Sequence, residues 1–108
     1  MHRIVLPLIL ALSATAPVLA DDFESMQLAN QLGSVLASEE PCGFAFDQAA
    51  IAAFIEDKVS PDDMGFASTL NMMTQGQRIQ IDQMSASSKT AHCTQIRRVA
   101  TSYAFLAK

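Results

Sequence analysis

The sequence predicts an all-α protein, a small bundle of three or four helices with one disulfide, preceded by a cleavable signal peptide. Three observations carry that expectation. The first twenty residues have the order of a secretory signal, and the rest shows apolar residues at helical spacing without alternating β patterns. The chain also holds two cysteines, Cys42 and Cys93, and no more.

The signal is read from MHRIVLPLILALSATAPVLA: basic His2 and Arg3, an apolar run from Ile4 to Leu12, then Val18-Leu19-Ala20 before an expected cleavage at Asp21. That run is too short to cross a bilayer, so no stable membrane span is expected after cleavage. The organisation is then residues 1–20 as signal peptide and residues 21–108 as a single helical domain, periplasmic or secreted, where thiols oxidise. A domain this small gains from a covalent staple, and two cysteines allow one internal pairing, Cys42–Cys93. Free thiols or an intermolecular bridge are the alternatives.

The first helix is expected over about Asp22 to Ser38. Leu28, Leu32, Val35 and Leu36 share a face, Phe23 lies nearby, and the acids Asp21, Asp22 and Glu24 suit the positive end of a helix dipole. Glu39-Glu40-Pro41-Cys42-Gly43 then breaks the chain. Asp47 is the expected N-cap of the second helix, with Phe46 placed to staple onto Ile51 and an apolar stripe of Ile51, Phe54, Ile55 and Val59. Ser60-Pro61-Asp62-Asp63 reads as its end and as the start of a third helix, through Phe66, Leu70 and Met73 and onward past Gly76 to Ile81 and Met84. Ser85-Ala86-Ser87-Ser88 reads as a kink or cap. A last helix, about Ser88 to Leu106, aligns Cys93, Ile96, Val99 or Ala100, Tyr103 and Leu106 on one face, which brings Cys93 to the buried side.

Charge divides the chain. Residues 21–63 carry ten acids and one base, whereas residues 64–108 carry one acid and five bases. Net acidity argues against nucleic acid as a partner, because phosphate neutralisation needs a basic surface. The asymmetry suits two halves that pack on one another, or a bipolar surface that docks a partner.

Candidate chemistry is sparse. His92 beside Cys93 could suggest a Cys-His pair, but helix neighbours diverge and a bridged cysteine cannot attack. The pairs Glu39-Glu40, Glu56-Asp57 and Asp62-Asp63 suit caps and dipoles better than acid–base work. Met72 or Met73 with Met84 and His92 could bind Cu(I), or the methionines could fill a core or line a groove for a partner. Arg97 and Arg98 with Lys89 and Arg78 form the one basic cluster. No phosphate loop, redox CxxC, HExxH or haem-attachment pattern occurs, so no cofactor and no enzymatic activity are expected.

Gly65-Phe66-Ala67 with Leu70-Asn71, set between Cys42 and Cys93, resembles a segment of the HdeA family of periplasmic acid-stress chaperones. That resemblance implies a small exported helical protein with one bridge between distant cysteines. The chain departs from that pattern in having no tryptophan before Cys42 and in its apolar end, Tyr103, Phe105 and Leu106. As a type, the mature stretch is similar to small exported helical proteins of alpha-proteobacteria, which supplies no mechanism. The expected function is a non-enzymatic exported protein-binding module, with a periplasmic stress chaperone or adaptor as its specific form and other exported proteins as partners. Phe66, Met72, Met73, Arg97, Arg98 and Phe105 are the candidate partner-binding residues. The alternative is a small-ligand or Cu(I) carrier.

Overall fold

The computed structural model describes residues 16–107, with side chains from Asp22 onward. The apolar run read as an export signal lies outside the described residues. Within them are four helices and no strand: α1 (Ala16–Ala37), α2 (Gln48–Lys58), α3 (Phe66–Asp82) and α4 (Ala86–Ser102). A disulfide joins Cys42 to Cys93 across a Cα–Cα distance of 5.5 Å.

Helix α1 begins six residues before the expected start at Asp22. Pro17 lies in its first turn, where a missing N–H costs nothing, so nothing there stops the helix. Asp22 and Glu24 therefore sit in its second and third turns, away from the dipole end proposed for them. Most of the residues from Asp22 to Gln27 are exposed, including Phe23, which does not join the core. Burial starts at Ala29 and continues through Leu32 and Val35.

Beyond Ala37 the chain makes one more helical turn. It ends where Phe44 N–H donates to Glu39 O (2.8 Å) and Gly43 N–H to Glu40 O (3.1 Å), with Gly43 at φ +74°. This pair of bonds is a Schellman motif, and glycine supplies its left-handed residue. Asp47 caps α2 as expected, its Oδ1 accepting from Ala49 N–H and Ala50 N–H. Phe46 turns to the ring of Phe105 (5.9 Å between centroids), which draws this loop onto the end of α4.

Two expected boundaries shift. Pro61 does not start α3; residues 61–65 form successive turns, with Asp63 N–H donating to Ser60 O and Phe66 N–H to Asp63 O. Asp63 is held sideways by Ser25, whose hydroxyl donates to Oδ2 at 2.6 Å, and the helix begins after Gly65. Helix α3 then runs unbroken through Gly76. Helix α4 starts after its cap Ser85 and stops at Ser102, four residues before the expected end. There Phe105 N–H donates to Ala100 O (2.9 Å) and Ala104 N–H to Thr101 O (3.0 Å), a second Schellman turn with Ala104 at φ +67°.

Helices α1 and α3 form the principal packed pair and run in the same sense, since Ser25 meets Asp63, Gly33 meets Met73 and Glu40 meets Arg78. At the crossing, a Cβ on Gly33 would lie 3.1 Å from Met73 Cβ and 3.3 Å from the Thr74 backbone nitrogen. One core joins Ala29, Leu32 and Val35 of α1 with Phe66, Ile96, Ala100, Phe46 and Phe105. Phe105 has no exposed surface and stacks with Phe46, Phe54 and Tyr103, which locks α2 onto the end of α4.

Candidate functional site

Ser38 and His92 form a serine–histidine pair. Ser38 Oγ lies 2.7 Å from Ser34 O and 2.8 Å from His92 Nε2. A carbonyl only accepts, so the single hydroxyl proton goes to Ser34 O, and Ser38 accepts from His92 Nε2–H. In a catalytic pair the proton would pass from serine to histidine. Ser38 is also wholly buried. This arrangement ties α4 to the end of α1, and it leaves His92 with Nδ1 alone for any other partner.

Several acids are engaged in structure. Glu39 Oε2 accepts from Phe46 N–H (2.8 Å), Asp47 caps α2, and Asp63 holds Ser25. Arg78, read in sequence as part of the basic cluster, belongs elsewhere: it pairs with Glu40 at 2.8 Å and Asp82 at 3.4 Å. Its hydrogen bond to Glu40 is the main reason its pKa lies above the ordinary arginine value, so the pair joins the acidic half to the basic half. A cleft of about 790 Å³ between the middle turns of α1 and the loop after α2 is lined by Asp22, Glu24, Asp62 and Asp63. Among the described residues, these and the other His, Cys, Asp and Glu side chains form no group suited to a metal ion.

A second groove, of about 470 Å³, runs over the disulfide between Pro41–Phe44 and α4. Lys89, Cys93 and Arg97 line it at four-residue spacing, one turn apart on the same helix face. The Arg97 guanidinium carbon stands 4.9 Å from the centre of the Phe44 ring, a cation–π contact that orients the charge. No carboxylate lines this groove, and both cysteines are partly exposed within it.

The six candidate partner-binding residues do not form one surface. Phe66 and Phe105 are in the core, where packing against α1 and α2 removes them from solvent. Met73 packs beneath Gly33. Met72 is 67% exposed on α3, whereas Arg97 and Arg98 are exposed on α4, with Arg98 donating to Gln95 Oε1 at 3.3 Å. Phe66 and Phe105 can therefore meet a partner only if the core opens.

Sequence reasoning missed Ile79, which is 59% exposed on α3. It stands seven residues after Met72, with Gly76 between them, and a Cβ on Gly76 would meet nothing within 4 Å. The i, i+4, i+7 spacing was visible in the sequence as a second stripe, distinct from the Phe66, Leu70, Met73 stripe. Met26 and Met64 are likewise more than half exposed. No protein-family model matches the chain, and comparison with curated proteins and with solved structures gives no match to either.

Proposed function

We propose that this chain is a non-enzymatic exported module that binds other proteins through the outward face of α3. The observation that carries the reading is Met72 and Ile79, both more than half exposed and one helical repeat apart, with open backbone at Gly76 between them. Large apolar side chains held in water on one helix face favour an apolar partner surface, and a glycine among them permits close approach. The signal-like start and the Cys42–Cys93 bridge support export, because such bridges persist in oxidising compartments.

Acid stress gives the proposal its specific form. Neutralising the carboxylates in acid would weaken the bonds of Glu39 to Phe46, Glu40 to Arg78 and Asp63 to Ser25, which hold the loop after α1 and the loop after α2. Loosening those loops would add Phe66 and Phe105 to the binding surface.

In-cell cross-linking followed by mass spectrometry, at neutral pH and after mild acid, tests both parts. One or a few exported partners at neutral pH, lost in the Met72→Asp/Ile79→Asp double variant, are expected for an adaptor. Many unrelated exported proteins appearing in acid are expected for a chaperone. Cross-links that survive the double variant unchanged at both pH values would remove the reading.

A further inference from the structure

We infer that the groove over the Cys42–Cys93 bridge is a docking and exchange site for small thiols that carry a carboxylate on each arm. The arrangement of charge selects the ligand. Lys89 and Arg97 lie eight residues apart on α4, about 12 Å along the helix axis, so a ligand with an anionic group at each end can lie along the groove between them. Cys93 lies midway between them. A ligand anionic at two ends satisfies both cations at once, and its middle then lies over the sulfurs. A thiol placed in that middle is delivered to the bridge.

Each cation has a reason to stay in place. Arg97 is oriented by the Phe44 ring, and Lys89 is half-buried at the groove wall. With no carboxylate in the lining, neither is neutralised from within the groove. Exposure of the bridge completes the site, since exchange needs access for the attacking thiolate.

The same charges choose which sulfur is attacked. The bound thiolate attacks Cys42 Sγ; a new S–S bond forms to Cys42 as the Cys42–Cys93 bond breaks, and the electron pair leaves on Cys93 Sγ. Cys93 departs as a thiolate one turn from Lys89 and one turn from Arg97, where positive charge favours the anion and speeds its departure. No net oxidation occurs in this step. The product is a mixed disulfide on Cys42, and return attack by the Cys93 thiolate restores the bridge and releases the thiol.

The test uses the purified protein with three probes: glutathione (two carboxylates), 2-mercaptoethanol (neutral) and cysteamine (cationic). Bridge opening is followed by acid quench, alkylation and mass spectrometry, and rates are compared per thiolate. Glutathione is expected to react about tenfold faster than 2-mercaptoethanol at low ionic strength, with cysteamine slowest, and the spread should collapse near about 0.5 M salt. The Lys89→Gln/Arg97→Gln variant should lose the glutathione advantage, its 2-mercaptoethanol rate falling less because only the help to the departing Cys93 thiolate is lost there, and the adduct should map to Cys42. Equal rates for the three probes on the unaltered protein at low salt would overturn the proposal without recourse to any variant. So would an adduct on Cys93, or an advantage that persists in the double variant.

Discussion

Ala104 and Gly43 perform the same task with different chemistry. Each is the left-handed residue of a Schellman turn, at φ +67° and +74° respectively. Glycine takes this conformation freely, whereas an L residue strains its Cβ against the neighbouring carbonyl by about 1–2 kcal/mol. The turn at Ala104 is kept because it drives Phe105 into the core, where the ring is wholly buried beside Ala100. Replacing Ala104 with glycine relieves the strain but adds freedom to the unfolded chain. The net expected gain is about 0.5–1 kcal/mol, read as a rise in the urea midpoint at constant slope. Ala104 is exposed, so no packing is lost. An unchanged or lowered midpoint would mean that the turn does not carry this strain.

Among the elements, the α1–α3 contact depends on one missing side chain. Gly33 lets Met73 and the Thr74 backbone approach so closely that a Cβ there would have to push them back by a few tenths of an ångström. Asn30 and Gln77 also meet across the pair, with Gln77 Nε2 donating at 3.0 Å. Alanine at position 33 would gain helix propensity and lose some of this fit, two effects of similar size. Valine is the clearer probe, because its branches cannot fit under Met73 without moving α3. Gly33→Val is expected to cost about 1–3 kcal/mol in chemical denaturation while helical content stays near the native value. A variant as stable as the parent would show that the helices separate without penalty.

The same scale shows what local sequence signals convey. Helix α2 was legible because its cap, Asp47, acts on the very next residues. The start of α3 was not. Ser60-Pro61-Asp62-Asp63 has the composition of a helix start, but Asp63 is taken by Ser25, 38 positions earlier in the chain. The end of α4 was overextended because Tyr103, Phe105 and Leu106 continue the apolar periodicity, while the backbone reverses at Ala104 so that Phe105 can reach Phe46 and Phe54.

At the level of the whole molecule, the bridge and the Arg78–Glu40 pair join the two charge-divided halves. The bridge closes a loop with a sequence separation of 51 residues. In the chain-entropy treatment, a loop of that size contributes about 4 kcal/mol, a large share of the stability expected for a domain of this size. Cys42→Ser/Cys93→Ser is therefore expected to lose about 3–4 kcal/mol in urea unfolding. A loss below about 1 kcal/mol would mean that the helices hold together without the staple. The Arg78–Glu40 pair is more exposed and contributes less, as solvated ion pairs do.

By itself the sequence determined the helical class and the cap of α2, and limited the cysteines to one internal pairing, because propensity and capping act over a few residues and two thiols allow one internal bridge; that the bridge forms within the chain was decided by the fold. Tertiary structure decided which side of each helix faces water. Periodicity marks the apolar faces of α3 but does not say which of them another helix will cover. Packing against α1 at Gly33 covers the Met73 side and leaves Met72 and Ile79 outward. It also separated Arg78 from the other cations, by bringing Glu40 to it from 38 residues away along the chain. Ser38 and His92, 54 residues apart, became a structural tie for the same reason: their contact exists only once α4 lies against the end of α1.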